Sequence, residues 1–164
     1  MTKTIKDLVL PIICLIIVAI TIIAGINFRN DQSDIDGILL VTNSEEVNIS
    51  CEKLKEKEFS GELLNGKGEK SIHDYEGVSF YDLCKNNKIT PEDINHIEVT
   101  SADQYTVSVT GDEICEDGRV YLAVYQDGTA IEGIEDGTNG VQLVVFGDSN
   151  SKRCVRYVKE IKIQ

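Results

Sequence analysis

Apolar and polar positions are spread unevenly along the chain, and the sharpest break in the pattern comes first. Leu8 to Ile26 (LVLPIICLIIVAITIIAGI) runs without a charged residue, close to the ~20 residues a helix needs to cross a bilayer core. In water such a run has no partner for its apolar surface, so the pattern predicts a membrane-spanning helix over 8–26 behind a short tail over 1–7. From Asn27 to Glu46 polar residues surround a short apolar patch, Ile38 to Val41. That segment, 27–46, reads as a linker that ends in a strand, and the globular domain is expected over 47–164.

Inside the domain the spacing of apolar residues switches between the helical and the extended period. Ser50 is placed to cap a short helix through Cys51 to Lys55, because its hydroxyl can accept from an unpaired N–H of the first turn. Glu58 to Leu64 reads as a strand, and the turn Asn65-Gly66-Lys67-Gly68 leads into Lys70 to Tyr75, which predicts a hairpin. Ser79 is the expected N-cap of a helix through Phe80 to Lys85 that stops by Asn87. Beyond Pro91 the chain turns to β structure. Ile97 to Thr100 and Tyr105 to Val109 flank a turn-like insert, and the alternation of Tyr105, Val107 and Val109 predicts one buried face. Thr110 and Glu113 have capping-box spacing, so one helical turn is expected through Ile114 and Cys115. Strands at Arg119 to Tyr125, Val141 to Phe146 and Cys154 to Ile163 complete the reading, with Asp127-Gly128 in a tight turn. The class is α+β and rich in strands.

Charge adds an orientation and excludes some partners. Lys3 and Lys6 precede the apolar run and only Arg29 closely follows it. The tail is therefore expected in the cytoplasm and the domain outside it, as a single-pass protein of the cell membrane. The competing reading is a cleaved signal peptide, but the run is longer than a signal-peptide core and Ala24-Gly25-Ile26-Asn27 offers no clean small-x-small site. The net charge of −12 argues against nucleic acid and against anionic lipid headgroups, which both demand a basic surface. Cys51, Cys84, Cys115 and Cys154 follow the apolar run with no C-x-x-C pair. In an oxidising compartment they admit three disulfide pairings, and in a reducing envelope they stay thiols; the sequence does not choose. His73 and His96 are isolated and read as surface or hydrogen-bonded histidines. The acidic pairs Asp112-Glu113, Glu116-Asp117 and Glu135-Asp136 lack the alternating oxygen spacing of a calcium loop.

Five phrases follow one another in a familiar order: Gly77-Val78-Ser79-Phe80-Tyr81-Asp82-Leu83, Thr100 to Tyr105, Tyr121-Leu122-Ala123-Val124, Leu143-Val144-Val145-Phe146-Gly147 and Cys154 to Ile161. Together they resemble successive landmarks of the molybdopterin-binding domain of the sulfite oxidase family. The resemblance implies a mixed-sheet α+β fold that in active members cradles a molybdenum–pterin cofactor and moves an oxygen atom or a pair of electrons. It also implies a cysteine thiolate on the metal, in the segment that reads Phe59 to Gly68 here and holds no cysteine. Cys51 is the nearest thiol but lies ahead of the strand Glu58 to Leu64, which the ligand should follow. Where the family usually has a proline and an arginine beside the cofactor, this chain has Gly140 and Gln142, and glutamine supplies no cationic fork.

One element of the pattern survives. Ser151, Lys152 and Arg153, with Arg156 beyond them, match the segment the family sets against the pterin phosphate, and they are the expected cofactor-binding residues. No catalytic and no metal-ligating residue is expected. The expectation is therefore a membrane-anchored, extracytoplasmic binding module for an anionic small molecule, with molybdopterin lacking a thiolate-bound metal as the cofactor the resemblance allows. The competing expectations are an active molybdenum-dependent oxidoreductase using Cys51, and an interaction domain with no small ligand.

Overall fold

Alternation in the first strand sets the frame of the domain. A computed structural model describes residues 37–134 and 140–164. In β1 (Gly37–Val41) Ile38 and Leu40 have no exposed surface, while the residues between them are half-buried, the period-two pattern of a strand lying on a core. β1 pairs antiparallel with β2 (Glu46–Ser50) and parallel with the last strand, β10 (Val158–Ile163). The apolar patch Ile38 to Val41 is thus an interior strand and not the end of a linker, and the compact unit runs over Asp36–Gln164. The boundary expected at 46/47 moves because the partner that buries β1 lies at the far end of the chain.

β10 in turn pairs with β5 (His96–Ser101), and β5 with β6 (Thr106–Thr110), giving a mixed sheet in the order β2-β1-β10-β5-β6. A second sheet contains β3 (Lys57–Leu64), β4 (Lys70–Ser79), β7 (Val120–Gln126) and β8 (Thr129–Ala130) in that order, and β9 (Gln142–Val145) also pairs with β7. Among the described residues three short helices join strands: α1 (Cys51–Leu54), α2 (Phe80–Asn86) and α3 (Gly111–Cys115). The α+β class and the mixed sheet match the sequence reading.

Local chemistry explains where these elements begin. The Ser79 hydroxyl accepts from the Asp82 N–H at 3.1 Å and starts α2. Thr110 and Glu113 form the full capping box of α3, so two orphan donors are satisfied reciprocally. Ser50 precedes α1 but makes no side-chain cap bond. Asp127 and Gly128 take φ of 52° and 76°, the left-handed pair that folds β7 tightly back onto β8. The expected strand from Cys154 is shorter than its apolar pattern suggests. Ser151–Arg153 form a 3-10 turn, Tyr157 has φ of 57°, and β10 starts only at Val158.

β7 decides how the interior divides. Val120, Leu122 and Val124 point into the main core with Leu40, Val99, Ile161 and Phe80, whereas Tyr121 and Ala123 point into a second cluster with Tyr75, Ile131 and Val144. A strand buried on both faces loses the apolar–polar alternation of a surface strand. The second sheet therefore carries the main core on one face and an aromatic cluster on the other. The predicted span over 8–26 lies outside the described residues, and among the described residues no helix is long and apolar enough to cross a membrane.

Candidate functional site

The Ser151 to Arg156 segment follows β9 and returns alongside it, the Leu143 N–H donating to the Val155 carbonyl at 2.8 Å. Asn150 caps its 3-10 turn by accepting the Lys152 N–H at 3.1 Å. The turn points consecutive side chains in different directions. Lys152 is exposed, and its carbonyl accepts from the Tyr105 hydroxyl at 3.3 Å. Arg156 is exposed too, with Nη2 at 3.5 Å from Gln126 Oε1. Arg153 turns inward, where its Nε donates to Asp148 Oδ2 at 2.7 Å and its Nη2 to Asp148 Oδ1 at 2.5 Å. Its other edge donates to Glu113, Nη1 to Oε2 at 2.9 Å and Nη2 to Oε1 at 2.7 Å.

Arg119, just before β7, joins from the other side: its Nη2 reaches Glu113 Oε1 at 2.9 Å and Asp148 Oδ1 at 3.4 Å, and its Nε lies 3.4 Å from Glu116. Apart from the exposed Glu116, these carboxylates and guanidiniums are largely withdrawn from solvent, Glu113 and Asp148 retaining 17% and 14% of their side-chain exposure. Hydrogen bonds from Arg153, more than any other influence, hold the Glu113 carboxyl well below the usual carboxylate range. Asp148 and Glu113 likewise push Arg153 above its ordinary value. The cationic cluster expected from sequence is thus divided: Lys152 and Arg156 face solvent, and Arg153 is neutralised internally. The sequence showed Glu113 as a capping residue, but nothing local shows that the same carboxylate meets Arg153.

The segment where a thiolate would be expected is β3 and its turn, and here it is packed with rings. Phe59 stacks on Tyr121 with centroids 4.0 Å apart and on Tyr75 at 5.4 Å. Phe146 meets Phe59, Tyr75 and Tyr121 edge-on at about 6 Å, geometry that such pairs prefer. A Cβ at Gly61 would lie 2.3 Å from the Phe146 ring, so this glycine gives up the space the ring occupies. Gln142, at the position of the expected arginine, shares this sheet face with Val144 and is 5% exposed. Its Oε1 and the Tyr75 hydroxyl have no hydrogen-bond partner among the described residues, and burial pushes the Tyr75 phenol up to about 12.

Among the described residues no thiol lies on β3 or its turn, and the one nearest this face is Cys154, which acts on the Tyr75 phenol. Cys51 and Cys84 belong to the main core, and burial pushes the Cys84 thiol up to about 12. Cys154 donates to the Val145 carbonyl at 3.9 Å, and Cys115 is exposed at the end of α3. With no thiolate on β3, no cation at Gln142 and Arg153 already saturated, the residues present do not fit a molybdenum-bearing pterin.

The other titratable groups form smaller arrangements. His73 Nδ1 lies 2.8 Å from Asp127 Oδ2, and the Asp74 N–H donates to Asp127 Oδ1 at 3.1 Å. A surface cavity of about 490 Å³ is lined by Glu58, Asp74, Glu76, Phe59 and Tyr125 among others. Lys55 already sits against it, 3.4 Å from Glu76 and 4.4 Å above the Tyr125 ring. Among the described residues no group of His, Cys, Asp and Glu is arranged to hold a metal ion.

No protein-family model matches the chain, and no curated protein matches it either. Among solved structures, the crystal structure of the sulfane dehydrogenase SoxCD from Paracoccus pantotrophus superposes with a TM-score of 0.56 at 18% identity. The match covers 77% of this chain and 37% of that one, so the chain spans little more than a third of the protein it resembles. The likeness is one of fold, and at that level it meets the resemblance to the sulfite oxidase family carried by the sequence.

The Glu113 network has a pH signature. Because its folded pKa is depressed, Glu113 contributes stability that is present above the ordinary glutamate range and is lost as pH falls from there towards the depressed value. Glu113→Gln should cost about 1–3 kcal/mol at neutral pH. Its denaturation free energy should also fall less steeply than wild type between about pH 5 and pH 2. Urea titrations across that range check this, and parallel curves for the two proteins would show that Glu113 is not the source.

Proposed function

We propose that the chain is a membrane-tethered, extracytoplasmic module that uses a sulfite oxidase-type fold for binding and carries no molybdenum redox chemistry. The observation that carries this reading is the packing of β3: the segment that would present a thiolate instead supplies Phe59 and Gly61 to a stacked aromatic cluster. A soft metal held by a pterin dithiolene needs a protein donor of matching softness. The rival donor, Cys51, is 5% exposed in the main core, and reaching a cofactor from there would require breaking that core.

We place the ligand on an exposed strip beside the Ser151 to Tyr157 segment. Tyr105 and Tyr157 are 51% and 40% exposed. They are tied to this segment by the Tyr105–Lys152 bond and by the Ala102 N–H donating to the Tyr157 carbonyl at 3.0 Å. Lys152 and Arg156 supply positive charge to a strip on an otherwise acidic chain. An anionic small molecule with a flat apolar part suits this combination, the cations meeting its charge and the tyrosines its face. The tether is the uncharged run Leu8 to Ile26 with lysines ahead of it.

Three measurements test the reading. Purified full-length chain should contain no stoichiometric molybdenum and, after incubation with cofactor, should give no turnover in a dye-coupled assay; turnover that disappears in Cys51→Ser would overturn it. Calorimetric titration of a phosphate ester should show binding that weakens about tenfold or more in Lys152→Ala/Arg156→Ala, and equal affinities would remove these residues from the site. Protease added to intact protoplasts should digest the domain, whereas protection until lysis would place it in the cytoplasm.

A further inference from the structure

Arg153 uses all of its N–H donors inside the protein. Nε and one Nη2 hydrogen form a fork to Asp148, the other Nη2 hydrogen and one on Nη1 form a fork to Glu113, and the last on Nη1 reaches the Ser108 carbonyl at 3.4 Å. Glu113 Oε1 and Asp148 Oδ1 also lie within 3.4 Å of Arg119 Nη2. One oxygen from each carboxylate is therefore shared between two guanidiniums. Two oxygens bridging two guanidiniums is the arrangement in which a tetrahedral oxyanion is commonly held. Here the oxygens come from separate elements, Glu113 from α3 and Asp148 from the β9–β10 connection.

We infer that Glu113 and Asp148 act as the resident anions of a two-arginine oxyanion site, so that the chain itself supplies the ligand a free phosphate or sulfate would otherwise provide. Arg119 and Arg153 face Glu113 and Asp148 inside the network, and the exposed Glu116 approaches Arg119 Nε at 3.4 Å from outside it. All four side chains inside the network are at most 27% exposed, so removing Asp148 leaves Arg153 Nε and one Nη2 hydrogen withdrawn from solvent without an acceptor, and a replacement anion can take them. Glu113 is the less replaceable of the two because it also closes the capping box of α3. Asp148 lies in a connection and has no such second duty, so its removal opens the site with least damage elsewhere. This inference concerns Arg119 and Arg153 and is independent of the exposed strip at Lys152 and Arg156.

The test uses full-length protein carrying Lys152→Ala/Arg156→Ala in every sample, so that binding at the exposed strip does not enter. Thermal unfolding is followed in sodium phosphate and in sodium chloride at matched ionic strength. Without a further change, phosphate should give no advantage over chloride. Asp148→Ser, which removes both the charge and the volume of the carboxylate, should unfold at least about 3 °C higher in phosphate than in chloride. Asp148→Asn, which removes the charge but fills the space, should respond much less. If Asp148→Ser is unfolded in chloride, circular dichroism in phosphate becomes the readout, and recovery of the folded spectrum is the expected result. An equal response in the Asp148 variants and their parent, no response in Asp148→Ser, or failure of phosphate to refold it would each overturn the inference.

Discussion

The contact on which much of this domain depends is the double fork between Arg153 and the carboxylates of Glu113 and Asp148. A guanidinium withdrawn from water is costly unless every donor finds an acceptor, and here each one does. The elements holding the acceptors are therefore constrained together: the Ser108 carbonyl on β6, Glu113 on α3 and Asp148 after β9. Arg119, just before β7, shares the same carboxylate oxygens. One small network thus spans the edge of the first sheet, the start of the central strand of the second, and the connection back to β10.

The second constraint is the two-sided burial of β7. Its even positions serve the main core, and Tyr121 and Ala123 serve the aromatic cluster. Tyr121 is the floor on which Phe59 lies, so the residue that fills the expected thiolate region is held by the central strand of the sheet. The aromatic cluster and the ion network lie at the two segments, β3 and Arg153, where the sulfite oxidase resemblance implies a thiolate and a phosphate contact. They are held by different physics, ring packing in one and charge saturation in the other. The likeness to SoxCD is one of fold, and a fold does not by itself carry chemistry. What the chain still offers outward at this end is Lys152, Arg156 and two tyrosines.

Much of the fold was legible from local patterns. The β3–β4 hairpin, the Ser79 cap, the Thr110–Glu113 box and the Asp127-Gly128 turn each rest on interactions within a few residues, and each formed as expected. The boundary at β1 was not legible, because five residues with two buried positions look alike in a linker and in a strand until β10 is set beside them. The last strand was overextended for a related reason: Cys154 and Val155 are apolar because Val155 packs in the main core, yet the backbone there bends through a 3-10 turn and a left-handed Tyr157.

For the candidate site, the sequence by itself determined the absence of a cysteine between Phe59 and Gly68, a glutamine at 142 where the resemblance implies an arginine, and the clustering of Lys152, Arg153 and Arg156. It also determined the acidity that surrounds that cluster and the uncharged run near the N-terminus. Only the tertiary structure decided that Arg153 turns away from its neighbours, because its direction is set by carboxylates about 40 residues earlier and five residues earlier in the chain. Only the tertiary structure likewise joined Phe59, Tyr75, Tyr121 and Phe146 into one cluster. Caps and turns are local and can be read from neighbouring residues, whereas the saturation of a withdrawn charge and the stacking of distant rings depend on groups that only the folded chain brings within a few ångströms.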